Sequence, residues 1–221
     1  MDMSLSVICE ENMKVIKIEE FSKTKIKIIF ESMEEIILYK ADLRRYHIEE
    51  GQDLQIEQVN VLMRELLPRR AKMRCMKLLQ SKDYTEGEIR AKLVNDGYPQ
   101  SVIDEAVQYL YGYKYLDDER YVKLYYQSRS MRKSKKQIII DLQQKGISKD
   151  TIIGVLEQDF DIDTEGGDKY CICKWLFKKK YDDDNFTYEE KEKVKASLYR
   201  KGFQINDINQ CMHNFSWKKC K

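Results

Sequence analysis

The chain has 221 residues, 42% of them hydrophobic and 35% charged, which is enough apolar material for one or two domain cores. Its 40 Lys and Arg residues nearly balance its 38 Asp and Glu residues, leaving a formal net charge of +2. Any affinity for nucleic acid must therefore come from local clusters of charge. No stretch approaches the ~20 apolar residues of a membrane-spanning helix, and no secretory signal sequence is visible. Six cysteines without a repeated CxxC favour free thiols in a reducing cytoplasm.

The first 40 residues have the chemistry of β-strands. Residues of β-branched type alternate with Lys and Glu in three segments, 14–21, 24–31 and 34–40. They predict a small antiparallel sheet that needs a partner on its apolar face. After this sheet the apolar residues follow helical spacing, and Asp53 is expected to be the N-cap of a helix that Pro68 interrupts.

The rest of the chain contains an internal repeat, aligned on Gly97, Gly146 and Gly202. Each glycine has a Leu four positions earlier, an apolar residue directly after it and an Ile six positions after it. This pattern predicts that one helix ends at the glycine, where a left-handed conformation costs least, and that a second helix follows. The expected side-chain caps of the second helices are Ser101, Ser148 and Asn206.

The spacing of the glycines leaves room for a further helix before each pair, at about 70–80, 118–131 and 168–180. The predicted fold class is therefore mainly α, with three tandem three-helix units in an elongated, curved array and a small N-terminal antiparallel β extension. The predicted boundaries are 1–67 for the extension and its linking helix, then 68–116, 117–160 and 165–221 for the three units.

Residues 114–137 carry the clearest charge pattern, which begins with Asp117, Asp118 and Glu119. Neighbouring carboxylates can hold a metal or transfer protons, as in a nuclease. We favour the start of a helix, because acids there accept N–H bonds and oppose the positive end of the dipole. Consecutive helical residues also point in different directions. The sequence thus predicts no catalytic residue, no metal site and no cofactor, and the Cys171-x-Cys173 pair does not change this, since the chain has only two histidines.

The same stretch ends in a basic run, which consists of Arg129, Arg132, Lys133, Lys135 and Lys136. It can contact an anionic partner, either DNA phosphates or an acidic groove of a protein filament. The alternative is a solvated helix end and loop, stabilised by the negative C-terminal end of the helix dipole. We favour the functional interpretation, because no acid interrupts the run and it lies in the central unit.

The central unit resembles the RecX family, regulatory proteins that modulate the RecA recombinase. The family pattern reads Leu-Asp-Asp-x-Arg-aromatic, a spaced Arg, a basic run, and Ile-x-x-x-Leu-x-x-Lys-Gly-Ile. The matching residues are Leu116, Asp117, Asp118, Arg120, Tyr121, Arg129, Ile138, Leu142, Lys145, Gly146 and Ile147. One departure is Ser134, which stands where the family's basic run usually carries a glycine.

This resemblance implies a cytoplasmic non-enzyme that binds the groove of the RecA–DNA filament and modulates recombination, DNA repair and the SOS response, chiefly by inhibiting the recombinase. The basic run would supply the contacts, single- or double-stranded DNA is a further candidate partner, and we expect a monomer. Two alternatives stay open: a stand-alone DNA-binding module of helix-turn-helix-like units, and a helical scaffold for an unrelated protein. A nuclease ranks last.

Overall fold

A computed structural model of the chain describes residues 12–130, 132–159 and 166–215, so predictions that concern other residues, such as Met131, lie outside it. The chain divides into two compact units, Met1–Leu116 and Asp117–Lys221. The predicted fold class is confirmed in its main features, since the chain is mostly helical, with three-helix domains and a small N-terminal antiparallel sheet. None of the described helices is long and apolar enough to cross a membrane.

The sheet of the first unit has four antiparallel strands in the order β3-β2-β1-β4. They are β1 (Met13–Glu20), β2 (Lys25–Phe30), β3 (Glu35–Tyr39) and the two-residue β4 (Asp53–Leu54). Alternation along β2 buries Ile26, Ile28 and Phe30, as its period of two predicted. These side chains share one apolar core with the first three-helix set, which supplies the partner that the sheet needs.

The link between the sheet and the three-helix sets differs from the sequence prediction in two places. Asp53 pairs with Lys14 as part of β4 and is not an N-cap, because the next helix begins only after Gln55. Pro68 does not interrupt the helix but lies at its second position. A proline lacks the N–H of the regular ladder and crowds the carbonyl four residues back. Here the π-helical turn Val61–Leu66, directly before helix α3 (Leu67–Leu79), accommodates it.

The helices of the first unit are α1 (Lys40–Tyr46), α2 (Ile56–Asn60), the π-helical turn (Val61–Leu66), α3 (Leu67–Leu79), α4 (Glu86–Asn95) and α5 (Gln100–Gly112). Those of the second unit are α6 (Asp118–Arg129), α7 (Lys135–Gln144), α8 (Lys149–Asp159), α9 (Gly166–Lys178), α10 (Tyr188–Arg200) and α11 (Ile205–His213). From α3 onward they form three successive sets of three, and the second and third sets each bury a separate apolar cluster. The boundaries that the sequence gives for the N-terminal extension and the three three-helix repeats stay predictions.

The repeated glycines end α4, α7 and α10 as predicted. Gly97, Gly146 and Gly202 have φ values of 83°, 87° and 87°. The next N–H in each case donates back to the carbonyl of the repeated leucine, over distances of 3.1, 3.3 and 3.4 Å. In all three repeats, the leucine four residues before the glycine therefore takes part in the same helix-ending turn.

The expected caps after these turns are correct in one case of three. The Ser148 hydroxyl accepts a hydrogen bond from the Thr151 N–H at 3.0 Å. The other two predictions are wrong, since Ser101 and Asn206 lie inside helices that begin after Pro99 and Gln204. Both of these earlier residues have the extended conformation that directs the chain into a helix, so the helix starts before the polar side chain is reached.

We expect Gly97→Ala to destabilise the first unit by more than the left-handed conformation alone costs. A Cβ at Gly97 would lie 2.0 Å from Ile37 Cδ1 and 2.8 Å from Ile37 Cγ1 on β3, an overlap that forces the Ile37 side chain to move. The matched control is Gly51→Ala, because Gly51 has a similar φ of 79° and nothing within 4 Å of its Cβ position. Urea unfolding should give a loss of about 1 kcal/mol for the control and a clearly larger loss for Gly97→Ala. Equal losses would contradict the close packing at Gly97.

Candidate functional site

The acidic residues at the start of α6 cap that helix, as the sequence predicted. Asp117 is the N-cap, and its carboxylate accepts a hydrogen bond from the Arg120 N–H at 2.8 Å. Asp118 and Glu119 occupy the first turn, where their charges oppose the positive end of the dipole. Among the described residues, no three His, Cys, Asp or Glu side chains lie together as a metal site would require.

Most other residues of the family pattern serve packing. Leu116 is buried in the core of the first unit, while Ile138 and Leu142 are completely buried in the second. Tyr121 is half-buried and stacks on Tyr125 with 6.2 Å between ring centroids. Arg120 is exposed, and Gly146 forms the turn after α7, so the pattern chiefly specifies how α6 and α7 are built.

The basic run lies across two helix ends of opposite polarity. Arg129 is in the last turn of α6, where the negative end of the dipole stabilises it, and its guanidinium lies 5.9 Å from the Tyr125 ring centroid. Lys135 and Lys136, in contrast, are the first two residues of α7. The dipole interpretation is therefore wrong for these two lysines, because a cation in the first turn is disfavoured by typically ~0.3–1 kcal/mol.

One member of the basic run is engaged within the second unit. The Lys133 ammonium pairs with the carboxylate of Asp141, which also accepts hydrogen bonds from Tyr125 and Gln137, each at 3.0 Å. Burial by itself raises the pKa of Asp141, but the hydrogen bonds from Lys133, Gln137 and Tyr125 together hold that pKa below its ordinary value. Lys133 is thus part of a structural network linking α6 to α7.

Ser134 anchors the start of α7 and needs no glycine-like flexibility. Its φ is −62°, an ordinary extended conformation, and its hydroxyl accepts from the Gln137 N–H at 3.2 Å as the N-cap. The same hydroxyl donates to the Lys201 carbonyl at 2.9 Å, which joins the second three-helix set to the turn after α10. Ser134 is completely buried, and a Cβ on Gly202 would lie only 2.7 Å from its oxygen.

A second contact from the third set holds the same helix start. The Lys135 N–H donates to the carboxylate of Asp168 on α9 at 3.1 Å. This carboxylate therefore satisfies one of the first backbone N–H groups of α7, which have no partner within the helix. Burial raises the pKa of Asp168, and the hydrogen bond from Lys135 opposes that rise. Neither Asp168 nor Lys201 was identified from the sequence, because both lie far along the chain from the run they contact.

The geometry leaves Arg129, Arg132, Lys135 and Lys136 as the outward part of the basic run. Arg129, Arg132 and Lys136 are exposed, and Lys135 is half-buried. Within the described chain, Arg132, Lys135 and Lys136 have no side-chain ion pair. Lys135 and Lys136 lie in the first turn of α7, Arg132 lies just before that helix and Arg129 ends α6, and such a concentration of positive charge can hold an anionic group.

We expect Ser134→Ala to cost more than the loss of an ordinary cap. It removes the N-cap, worth about 1 kcal/mol, and leaves the Lys201 carbonyl without its donor, a further ~1 kcal/mol. Thr187→Ala is the control, because Thr187 caps α10 in the same unit but is exposed and bonds only within its own helix start. Urea unfolding should show a loss for Ser134→Ala about twice that of the control. A loss no greater than the control's would mean that the link to Lys201 contributes nothing.

The Asp141 network should make stability depend on pH. Because the folded-state pKa of Asp141 is lowered, its contribution is complete above the unfolded value of about 3.9 and is lost as pH falls through the folded value. Asp141→Asn should therefore be less stable than the unmodified chain at pH 7, and the difference should shrink below about pH 4. Thermal unfolding across this range measures it, with the exposed Asp184→Asn as control. A difference that stays constant with pH would contradict the charge-based account.

Comparison with known proteins places these features in one family. Family models for the first and second three-helix domains of RecX match residues 71–110 and 117–156. A regulatory protein RecX from Caldanaerobacter subterraneus subsp. tengcongensis is 28% identical over 167 residues, 75% of this chain and 81% of that protein. One from Clostridium tetani is 24% identical over 206 residues, 90% of this chain and 93% of that protein.

Solved structures agree at the level of the fold. A crystal structure of regulatory protein RecX is similar over 91% of this chain and 100% of its own, with a TM-score of 0.58 at 21% identity. A RecX structure from Lactobacillus salivarius covers 66% of this chain and 95% of its own, with a TM-score of 0.54 at 21% identity. The two matched domains and the sequence relatives confirm the resemblance that residues 116–147 indicated: the chain belongs to the RecX family of regulatory proteins.

Proposed function

We propose that this chain binds the RecA–DNA filament and restrains recombinase activity. The observation that carries the proposal is the fixed start of α7, where the half-buried Lys135 and the exposed Lys136 lie at the positive end of a helix dipole. Membership of a family of regulatory proteins supports a role in control rather than in chemistry. The basic run would contact an acidic surface or the DNA phosphates of the filament.

The electrostatics of the run favour an anionic partner. Lys135 and Lys136 add positive charge where the dipole is already positive, and the Asp168 carboxylate, which accepts from the Lys135 N–H, compensates part of that charge. A bound anion would offset the repulsion between these lysines and the positive end of the α7 dipole, and this relief would contribute to the binding free energy. A rigid helix start also removes the cost of ordering the backbone on binding, so that only the Lys and Arg side chains have to be ordered.

The low net charge of the chain fits a protein–DNA filament as the partner better than it fits free duplex DNA. The net charge of +2 gives little long-range attraction to DNA alone. A protein filament adds shape and apolar contacts to the local charge of the basic run. We further propose that the chain is not an enzyme and acts as a monomer in the cytoplasm, where such filaments form.

The decisive assay is ATP hydrolysis by the cognate RecA on single-stranded DNA with this protein titrated in. A parallel binding measurement on the same DNA without RecA accompanies each point. Suppression at amounts well below those that coat the DNA is the expected result. Suppression only at DNA saturation would indicate a stand-alone DNA-binding module, and no effect without any DNA binding would indicate an unrelated scaffold.

Charge reversal at the outward cations should weaken the effect on RecA. Arg132→Glu/Lys136→Glu is expected to need at least about tenfold more protein for half-suppression, since each lost contact to an anion is worth ~1 kcal/mol or more. The control is Lys149→Glu/Lys193→Glu, which makes the same charge change at two exposed lysines on α8 and α10. Circular dichroism should be unchanged in both variants. Equal potency of the two variants would remove the basic run from the mechanism.

A further inference from the structure

Helix α3 of the first unit carries a second basic surface, separate from the basic run. Arg69, Met73 and Lys77 follow one another at intervals of four residues and therefore lie on one side of the helix. All three are exposed, and the Met73 side chain is 67% accessible despite being apolar. We call these three residues the α3 ridge; it extends over ~12 Å of helix.

A groove of about 750 Å³ lies on one side of the α3 ridge, between the helix and the sheet. Lys25 of β2 and Tyr39 at the end of β3 line it together with Tyr98. From the helix, Arg70 and Arg74 enter the same groove. The N-terminal sheet thus does more than cover a core, because two of its side chains form one wall of a basic and aromatic groove.

The cations of this groove are held in place by two acids. Arg70 makes a two-pronged contact with the buried Asp42, and its guanidinium lies 4.5 Å from the Tyr39 ring centroid. Asp96 accepts from Arg74 at 2.7 Å and from Lys25 at 3.1 Å. Although burial raises the pKa of Asp96, the bonds from Arg74 and Lys25 lower it overall, so the Asp96 carboxylate stays charged at neutral pH. A guanidinium has five N–H donors, so Arg70 and Arg74 keep donors that Asp42 and Asp96 do not use and that a phosphate can accept from.

A second groove of about 700 Å³ lies on the other side of the ridge and shares its three residues. Arg64 and Lys72 supply further cations there, and Lys72 pairs with Glu105 at 2.7 Å and lies 5.2 Å from the Tyr109 ring centroid. Cations therefore outnumber carboxylates on both sides of the ridge. Among the described residues, Arg69 and Lys77 have no ion-pair partner, which leaves them available to an outside anion.

We propose that the α3 ridge and its two grooves bind a single strand of nucleic acid. The phosphate backbone would follow Arg69 and Lys77, and bases would contact the aromatic rings of Tyr39, Tyr98 and Tyr109. A positively charged groove combined with aromatic rings is the arrangement that binds single strands without sequence preference. An acidic protein segment would use the cations alone, whereas a single strand can also contact the parts of the tyrosine rings that Arg70 and Lys72 leave open, so we favour nucleic acid.

This site is separate from the proposed contact of the basic run, since all of its residues belong to the first unit. It also gives the N-terminal sheet a role, because Lys25 and Tyr39 come from β2 and β3. The binding proposed here requires no RecA. Its failure would consequently leave the proposed action on the filament untouched, and the reverse also holds.

The test is fluorescence anisotropy of a labelled oligothymidylate with the full chain and no RecA, over a range of salt concentrations. Arg69→Glu/Lys77→Glu should bind about tenfold more weakly or worse, and the slope of log K against log salt should become shallower by about 1.4, at ~0.7 per lost phosphate contact. The control is Lys14→Glu/Lys23→Glu, which alters two exposed lysines outside both grooves by the same charge. It should keep most of the affinity.

Three results would overturn the proposal. The first is an unmodified chain that does not bind the oligonucleotide even at low salt. The second is equal affinity of the ridge and control variants, which includes the case in which only Arg132→Glu/Lys136→Glu loses binding. The third is a polyglutamate competitor that displaces the oligonucleotide at lower charge concentration than unlabelled oligothymidylate does, which would identify an acidic protein as the partner.

Discussion

A missing Cβ at the helix-ending glycines is the constraint on which the rest of the structure depends. Gly97 and Gly202 each end a helix in the left-handed conformation, and each also accepts a neighbouring element in the space that a side chain would fill. At Gly97 this element is β3 of the sheet, and at Gly202 it is the start of α7. The same residue type therefore fixes both the path of the chain and the packing of the next layer.

The packing at Gly202 determines what the basic run can do. Because Ser134 and Asp168 hold the start of α7, Lys135 and Lys136 extend from an anchored helix start. Lys133 is neutralised by its ion pair with Asp141, which leaves the other cations of the run to contact a partner. Fixed positive charge at a positive helix end favours an anionic partner, and this is the physical basis of the action that we propose on the RecA filament.

Much of this fold could be predicted from sequence because its determinants are local. The strand alternation at Ile26, Ile28 and Phe30 and the Leu–Gly offset both depend on a few neighbouring residues. Pro68 was misjudged because the π-helical turn that accommodates it has no sequence signature. Of the site, the sequence supplied the cations but not their partners: Asp141 lies eight residues beyond Lys133 on the next helix, and Asp168 becomes a neighbour only through tertiary packing.

The most direct test of the central claim is binding of the fluorescently labelled chain to RecA filaments preformed on single-stranded DNA. Naked DNA at the same phosphate concentration and RecA without DNA serve as comparisons. The account predicts saturable binding to filaments that is tighter than binding to either component by roughly tenfold or more, a difference of ~1.4 kcal/mol. Binding to filaments that is no tighter than binding to naked DNA would contradict a filament-specific regulator.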